Sequence, residues 1–250
     1  MSAADPRLYL LDVEGTVAPI SFVTEQLFPY ARAHFPHFLE TQIADPGVRA
    51  DLALLSEENG AETDPACPHI SPSCHPERAE RVEGPAFRDA ALSYLFWLMD
   101  RDRKSTALKS LQGKIWKAGF ESGELKGVLY ADVPPAIKRW TTNARVAIYS
   151  SGSVEAQRLL FNYSNCGDLT PLVSAYFDTR TGAKISSTSY AAIAAAMNVA
   201  PNEILFFSDV IRELNPAREA GCQTRLVVRE GNSPVEDAHG HAAIEVFDSL

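Results

Sequence analysis

The chain contains no apolar run approaching the roughly 20 residues that span a bilayer. Its opening, MSAADPRLYLLDVEG, lacks the basic flank and long apolar stretch of a secretory signal. Neither a membrane span nor export is expected, and the reading is a cytoplasmic protein. Basic charge is scarce as well. Lys and Arg number 23 against 32 Asp and Glu, a formal net charge of −9, and no long Lys/Arg block gathers positive charge in one place. That balance argues against nucleic acid or anionic membrane as a partner, and an anionic small molecule would need locally placed cations. Cysteine is sparse: Cys67, Cys74, Cys166 and Cys222 are scattered, so free thiols are expected. The stretch CPHISPSCH does bring Cys67, His69, Cys74 and His75 together, but the paired CxxC spacing of structural zinc sites is missing. Pro65, Pro68, Pro72 and Pro76 surround it, and a Pro-rich flexible loop is the expectation there. No heptad seam or obvious apolar excess calls for an obligate partner, and a monomer is expected.

What is present is enough for one large or two modest domains: 250 residues, 46% of them hydrophobic. In LYLLDVEGTVAPISFV, residues 8–11 read as a short apolar strand of a sheet covered on both faces, and Gly15 and Thr16 read as the turn leaving it. Asp12 then sits at the carboxyl end of a strand, the edge where open parallel sheets bind ligands. It reads as a ligand or metal group, or alternatively as a solvated turn acid or helix cap.

From about residue 20 to 124 the pattern is helical. In AFRDAALSYLFWLMD, Phe87, Ala90, Ala91, Tyr94, Leu95 and Leu98 recur at the spacing of one helix face. The DRDRK run from Asp100 reads as the solvated face or end of these helices rather than a binding patch. Residues 64–85, rich in Pro, Ser and charge, read as a flexible insert, with a short helix possible in PERAERV. From Leu125 strands and helices alternate. VAIY (146–149) is a strand, Ser150 to Ser153 a turn, and a helix follows; 204–207 is a strand with Asp209 past its end, a helix opens near Pro216, Gly221 stops it, and a strand covers 224–228. The predicted fold is therefore α/β: a doubly wound parallel sheet, Rossmann-like, from residues 1–19 and 125–250, with residues 20–124 inserted as a helical cap.

The polar residues at strand ends collect on one edge of that sheet: Asp12 and Glu14, Ser150 and Ser151, and Asp209. Three carboxylates in one place repel one another, and a hard divalent cation resolves the repulsion. Mg²⁺ suits few carboxylates and several waters. The serines lie where a helix begins, a place suited to phosphate. A metal, an anion site and a spare carboxylate together point to phosphoryl transfer.

DVEGT, IYSSGS, the lysine of GAKISSTSY and FFSDVIREL resemble the four ordered motifs of the haloacid dehalogenase superfamily of phosphotransferases. Longer blocks are similar to the enolase-phosphatase (acireductone synthase) family of methionine salvage: PISFVTEQLFPYA, DRKSTALKSLQGKIW, ELKGVLYADVPPAIKRW, YSSGSVEAQRLLF and GDLTPLVSAYFDT. The resemblance covers nearly the whole chain. It departs at Val17 and Ala18, where the family tends to carry threonines or other polar residues, and at the 64–85 insert. It implies that Asp12 is the nucleophile, forming an aspartyl-phosphate, and a Mg²⁺ ligand. Glu14 would bind the metal through backbone carbonyl or side chain, or move a proton to the leaving alkoxide. Ser150 and Ser151 would hold phosphate or substrate, Lys184 would neutralise charge on Asp12 and phosphate, and Asp209 would complete a site for one Mg²⁺ per subunit. The implied substrate is a small phosphate ester, 2,3-diketo-5-methylthiopentyl 1-phosphate, enolised and dephosphorylated to an acireductone.

Rival readings are a capped phosphatase for another small phosphate ester and a catalytically silent phospho-ligand module. A two-component receiver domain is about half this length and has no helical insert. A dehalogenase proper needs no metal, which leaves Glu14 and Asp209 without a purpose.

Overall fold

The structure is a computed structural model and describes residues 5–70 and 84–249. The described chain divides into two compact units, one of residues 1–26 and 123–250 and the other of residues 27–122. No described helix is long and apolar enough to cross a membrane.

The first unit is built on a six-stranded, all-parallel sheet. Its strands are β1 (Leu8–Leu11), β2 (Arg145–Tyr149), β3 (Ala175–Phe177), β4 (Ile204–Ser208), β5 (Gln223–Val227) and β6 (Ala242–Ile244), in the order β3-β2-β1-β4-β5-β6. The chain moves outward from β1 through β2 to β3 and then returns to the other side of β1 with β4. The winding direction therefore reverses between β1 and β4, the switch point at which doubly wound sheets form their ligand crevice. Helices cover both faces, which is why the strands read as continuous apolar runs. On one face Leu8, Leu10, Phe206 and Tyr149 pack against α7 (Ser187–Met197) and α8 (Ile211–Glu219). On the other, Trp140 at the end of α5 (Val133–Trp140) stacks on Tyr9 at 4.4 Å and lies 5.5 Å from Phe207. α6 (Val154–Asn162) packs beside β3.

The second unit is helical, made of α1 (Phe28–Gln42), α2 (Pro46–Gly60), α3 (Pro85–Asp100) and α4 (Thr106–Ser122). The starts of α2 and α4 are capped by side chains. Asp45 caps α2 by accepting the Gly47 and Val48 N–H groups at 2.8 and 3.0 Å, with Pro46 in the first turn where its missing N–H is harmless. The Glu58 carboxylate accepts the Thr106 N–H at 2.9 Å and the Ser105 hydroxyl, while Ser105 Oγ accepts the Leu108 N–H. The predicted face of α3 is the buried one, with Trp97 added and Ala90 at its margin. The DRDRK run marks the end of that helix, and its Arg103 pairs with Glu62 at 2.5 Å.

Two expectations need correction. α8 opens at Ile211, not near Pro216, which lies inside the helix. And residues 64–70 are not a loose loop: Cys67 is buried among the helices, Ile70 packs on the same core, and Asn59 holds the segment through the Pro68 carbonyl and the Ile70 N–H, both at 2.8 Å. A side-chain amide supplies the backbone's hydrogen bonds here, so composition alone misleads. PERAERV, Cys74 and His75 lie outside the described residues. Cys67, Cys166 and Cys222 are free thiols.

Candidate active site

Register determines which side chains meet. Leu11 pairs with Ile148 of β2 and with Phe207 of β4, so Asp12, Tyr149 and Ser208 form the next row across three adjacent strands. Side chains alternate along a strand, so Asp12 follows Leu8 and Leu10 to the face covered by α7 and α8. Ser150 and Asp209 stand one row further out.

Lys184 and Glu213 meet Asp12 on that face. Lys184 Nζ donates to Asp12 Oδ1 at 2.6 Å and also contacts Glu213 Oε2. Ser208 Oγ lies 3.2 Å from Asp12 Oδ2 and 3.0 Å from Glu213 Oε2, one hydroxyl between two carboxylates. The Val13 N–H completes the set on Asp12 at 2.7 Å. Burial pulls Lys184 down, but Asp12 and Glu213 outweigh it and hold the ammonium above the ordinary lysine value. Burial and the Asp12 charge push Glu213 up.

The segment bearing Lys184 is held by three hydroxyls on three consecutive carbonyls. Tyr149 donates to Gly182, Ser189 to Ala183 and Tyr190 to Lys184, each at 2.8 Å. Tyr190 Oη lies 2.9 Å from the Glu213 carbonyl as well, so one fully buried phenol ties together the backbones of both partners of Asp12. Lys184 Nζ also lies 5.8 Å from the centre of the Tyr149 ring.

Asp209 is differently placed. Its Oδ1 is buried without a hydrogen-bond partner, and burial together with the Asp12 charge pushes its carboxyl up to about 7. A buried carboxylate oxygen with nothing to bind, beside a second acid, fits a cation. Gly15 makes that arrangement possible: at φ 70° it is in the left-handed region, and a Cβ there would lie 2.4 Å from Asp209 Oδ2. Among the described residues no three His, Cys, Asp or Glu side chains are grouped to enclose an ion. Asp12 and Asp209 supply two carboxylates, and a backbone carbonyl and waters would complete a Mg²⁺-type shell.

Glu14 lies in the tight turn after Asp12, bridged to Ala18. Ser150 is buried, and its Oγ accepts the Gly152 N–H at 3.1 Å; Ser151 is exposed. The helix begins beyond both, with Ser153 as its cap. The Val154 and Ala156 N–H groups are already taken by Asp178 Oδ2 and Ser153 Oγ, so the helix end itself offers an anion less than the sequence suggested.

Glu213, Ser208, Tyr149 and Tyr190 were not singled out from the sequence. Glu213 had a signal: it follows Asp209 by one helical turn in SDVIREL, which puts a second acid at the same crevice. The tyrosines had none, because carbonyl partners leave no trace in composition.

Residues 6–221 match the model of the haloacid dehalogenase-like hydrolases. The chain is 52% identical over 244 residues to enolase-phosphatase E1 of Synechococcus elongatus, covering 96% of both chains. It is 42% identical to enolase-phosphatase E1 of Branchiostoma floridae, covering 96% of this chain and 82% of that one. Among solved structures, Unknown transcript 4 protein of Saccharomyces cerevisiae superposes with a TM-score of 0.77 at 35% identity, over 98% of this chain and all of that one. The match over most of the chain and the identity to these relatives lead to one conclusion: the chain belongs to the enolase-phosphatase E1 family of haloacid dehalogenase-like hydrolases.

Proposed function

We propose that this chain is a phosphatase with enolase activity that converts 2,3-diketo-5-methylthiopentyl 1-phosphate to acireductone and phosphate, a step of methionine salvage. The observation that carries the chemical reading is the Asp12 carboxylate at the β1/β4 crevice, neutralised by a buried lysine at 2.6 Å. A carboxylate held this way is fixed in orientation beside a positive charge, as a nucleophile requires.

In this reading Asp12 attacks the phosphorus, forming an aspartyl-phosphate as the ester oxygen leaves with its electron pair. Water then attacks the same phosphorus, and the bond to Asp12 breaks. Lys184 offsets negative charge on Asp12 and on the phosphoryl oxygens through both steps. Tyr149, Ser189 and Tyr190 hold its backbone, so little reorganisation is needed when charge develops. Ser150, whose oxygen already accepts the Gly152 N–H, turns its own proton to a phosphate oxygen, and Ser151 offers a second hydroxyl from the exposed turn. Asp12, Asp209 and a backbone carbonyl or the side chain of Glu14 would hold one Mg²⁺. When bound, Mg²⁺ supplies positive charge that polarises the diketone and braces the phosphoryl group. In this reading Glu14 either helps to hold the metal or passes a proton to the leaving alkoxide.

The test is product analysis. The protein is supplied with the diketone phosphate and, separately, with a panel of sugar phosphates, while phosphate release and the ultraviolet absorbance of the conjugated enol are followed. The expected result is enol and phosphate from the diketone ester at a rate far above the panel. Phosphate release with no enol would leave a plain phosphatase for another ester, and absence of both would leave a phospho-ligand module.

A further inference from the structure

Asn232 lies on the turn after β5 and has no part in the chemistry above. The turn closes as the Asn232 N–H donates to the Arg229 carbonyl at 3.1 Å. Each of these two residues then takes one carbonyl of the loop after Asp12. Asn232 Nδ2 donates to Gly15 O at 2.9 Å, and Arg229 Nε donates to Thr16 O at 3.3 Å. Arg229 is itself anchored. It pairs with Asp132 at 2.9 Å, donates to the Glu245 carbonyl at 2.7 Å, and has the Tyr130 and Phe247 rings 4.4 and 4.9 Å from its guanidinium. The turn is therefore a bracket, rooted in the buried arginine, that grips two consecutive residues of the loop bearing Asp12.

The orientation of the Asn232 amide follows from its surroundings. Both oxygens near Nδ2, Gly15 O and Val227 O at 3.5 Å, are carbonyls that only accept, so the nitrogen faces them and Oδ1 faces away. That Oδ1 is buried and has no partner. A second buried oxygen without one, Asp209 Oδ1, belongs to the carboxylate next to it: a Cβ on Gly15 would meet Asp209 Oδ2 at 2.4 Å and Asn232 Oδ1 at 2.9 Å. An acceptor buried without a donor costs about 1–3 kcal/mol, and the two residues that carry them flank one glycine. Two acceptors have no hydrogen to share, but a water bound to a cation has two to give.

We propose that Asn232 is a positioning residue of the metal site: Oδ1 accepts a hydrogen from a water carried by the cation at Asp209, while Nδ2 fixes the Gly15 carbonyl. One amide then couples the loop bearing Asp12 to the hydration shell of the metal. This rests on the Mg²⁺ reading of Asp12 and Asp209 above. Mg²⁺ keeps several waters at its sites, and partners of that outer shell commonly govern affinity.

The experiment is calorimetric titration of the metal-free native protein and of Asn232→Ala with MgCl₂ and, separately, CaCl₂. The alanine variant is expected to bind Mg²⁺ about 10-fold more weakly or worse. Its Ca²⁺ affinity should fall by no more than about threefold, because Ca²⁺ relies less on a fixed hydration shell. Equal losses for both ions would mean that Asn232 acts only through the loop, and no loss for either would mean that it holds no water; each result overturns the proposal. Should Asn232→Ala not fold, Asn232→Asp decides. It keeps an acceptor for the water and loses the donor to Gly15, so the affinities for the two ions should shift together and the native preference between them should be kept; a preference moved towards Ca²⁺ overturns the proposal. A native protein that binds no Mg²⁺ and still releases phosphate in the presence of a chelator would bring down the metal reading itself, a distinct outcome that takes the proposal with it.

Discussion

The Lys184 ammonium lies 2.6 Å from Asp12 Oδ1, and both side chains are more than nine-tenths buried. Glu213 is the second acid on the same ammonium, so one cation serves two carboxylates in a space with little water. Replacing Lys184 by Met leaves both acids without a counter-charge, a change that typically costs about 3–5 kcal/mol in a buried pair. The native lysine is held above its ordinary value, so its contribution is complete below that value and is lost only as pH rises through the raised one. In the Met variant Glu213, already pushed up by burial and Asp12, loses the charge that opposed that rise, so the deficit should shrink as pH falls. Thermal melts of both proteins at pH 7 and pH 5 check this, and equal deficits at the two values would contradict it.

Tyr190→Phe removes the hydroxyl shared by the Lys184 and Glu213 carbonyls while keeping the ring. The expected loss of stability is about 1–3 kcal/mol, that of a buried acceptor left unpaired. The larger effect should be on turnover, with kcat down by about 10-fold or more and KM little changed, since misplacing a charge-stabilising group acts mainly on the transition state. Steady-state kinetics separate the two parameters.

Gly15→Ala places a methyl group 2.4 Å from Asp209 Oδ2 and forces a non-glycine residue to φ 70°. The backbone part alone costs about 1–3 kcal/mol. Displacement of Asp209 should in addition weaken Mg²⁺ binding, as measured by titration calorimetry. A variant that melts lower but binds Mg²⁺ normally would show that the glycine serves conformation only.

Asp209 predicts a pH dependence. Its carboxyl is pushed up to about 7 by burial and by Asp12, so below that pH a cation must displace a proton to bind. Mg²⁺ affinity should fall as pH drops from 8 to 6. Titrations at pH 6 in buffers of different ionisation enthalpy should report proton release approaching one per metal. For the metal-free protein the sign is the reverse: the raised carboxyl contributes stability that is complete below pH 3.8 and is lost as pH rises through about 7.

The sheet was largely legible before the structure because its signal is local. β1 spans residues 8–11 as read, and β2, β4 and β5 lie within one residue of expectation, since strands buried on both faces are bounded by turn residues that stand out against them. The start of α8 was misplaced because proline is usually a marker of helix beginnings, whereas Pro216 lies inside that helix. The 64–70 segment looked like a loop because its composition is that of loops; the Asn59 amide at the end of the preceding helix is what holds it. At the site, the acids at strand ends were visible from the sequence, but their partners were not. Tyr149, Ser189 and Tyr190 meet three consecutive carbonyls, and Asn232 meets Gly15 across more than two hundred residues. Such contacts depend on tertiary placement and leave no periodic pattern to read.

The account stands on Asp12 as the nucleophile. The most direct measurement is rapid acid quenching of the protein during turnover of the diketone phosphate with Mg²⁺, followed by mapping of the phosphorylated peptide. The account predicts one acid-stable, base-labile phosphoryl group on Asp12, absent from Asp12→Asn, which keeps its fold and releases no phosphate. Phosphate found on Ser150 or Ser151, or an Asp12→Asn variant that releases phosphate at the native rate, would contradict it.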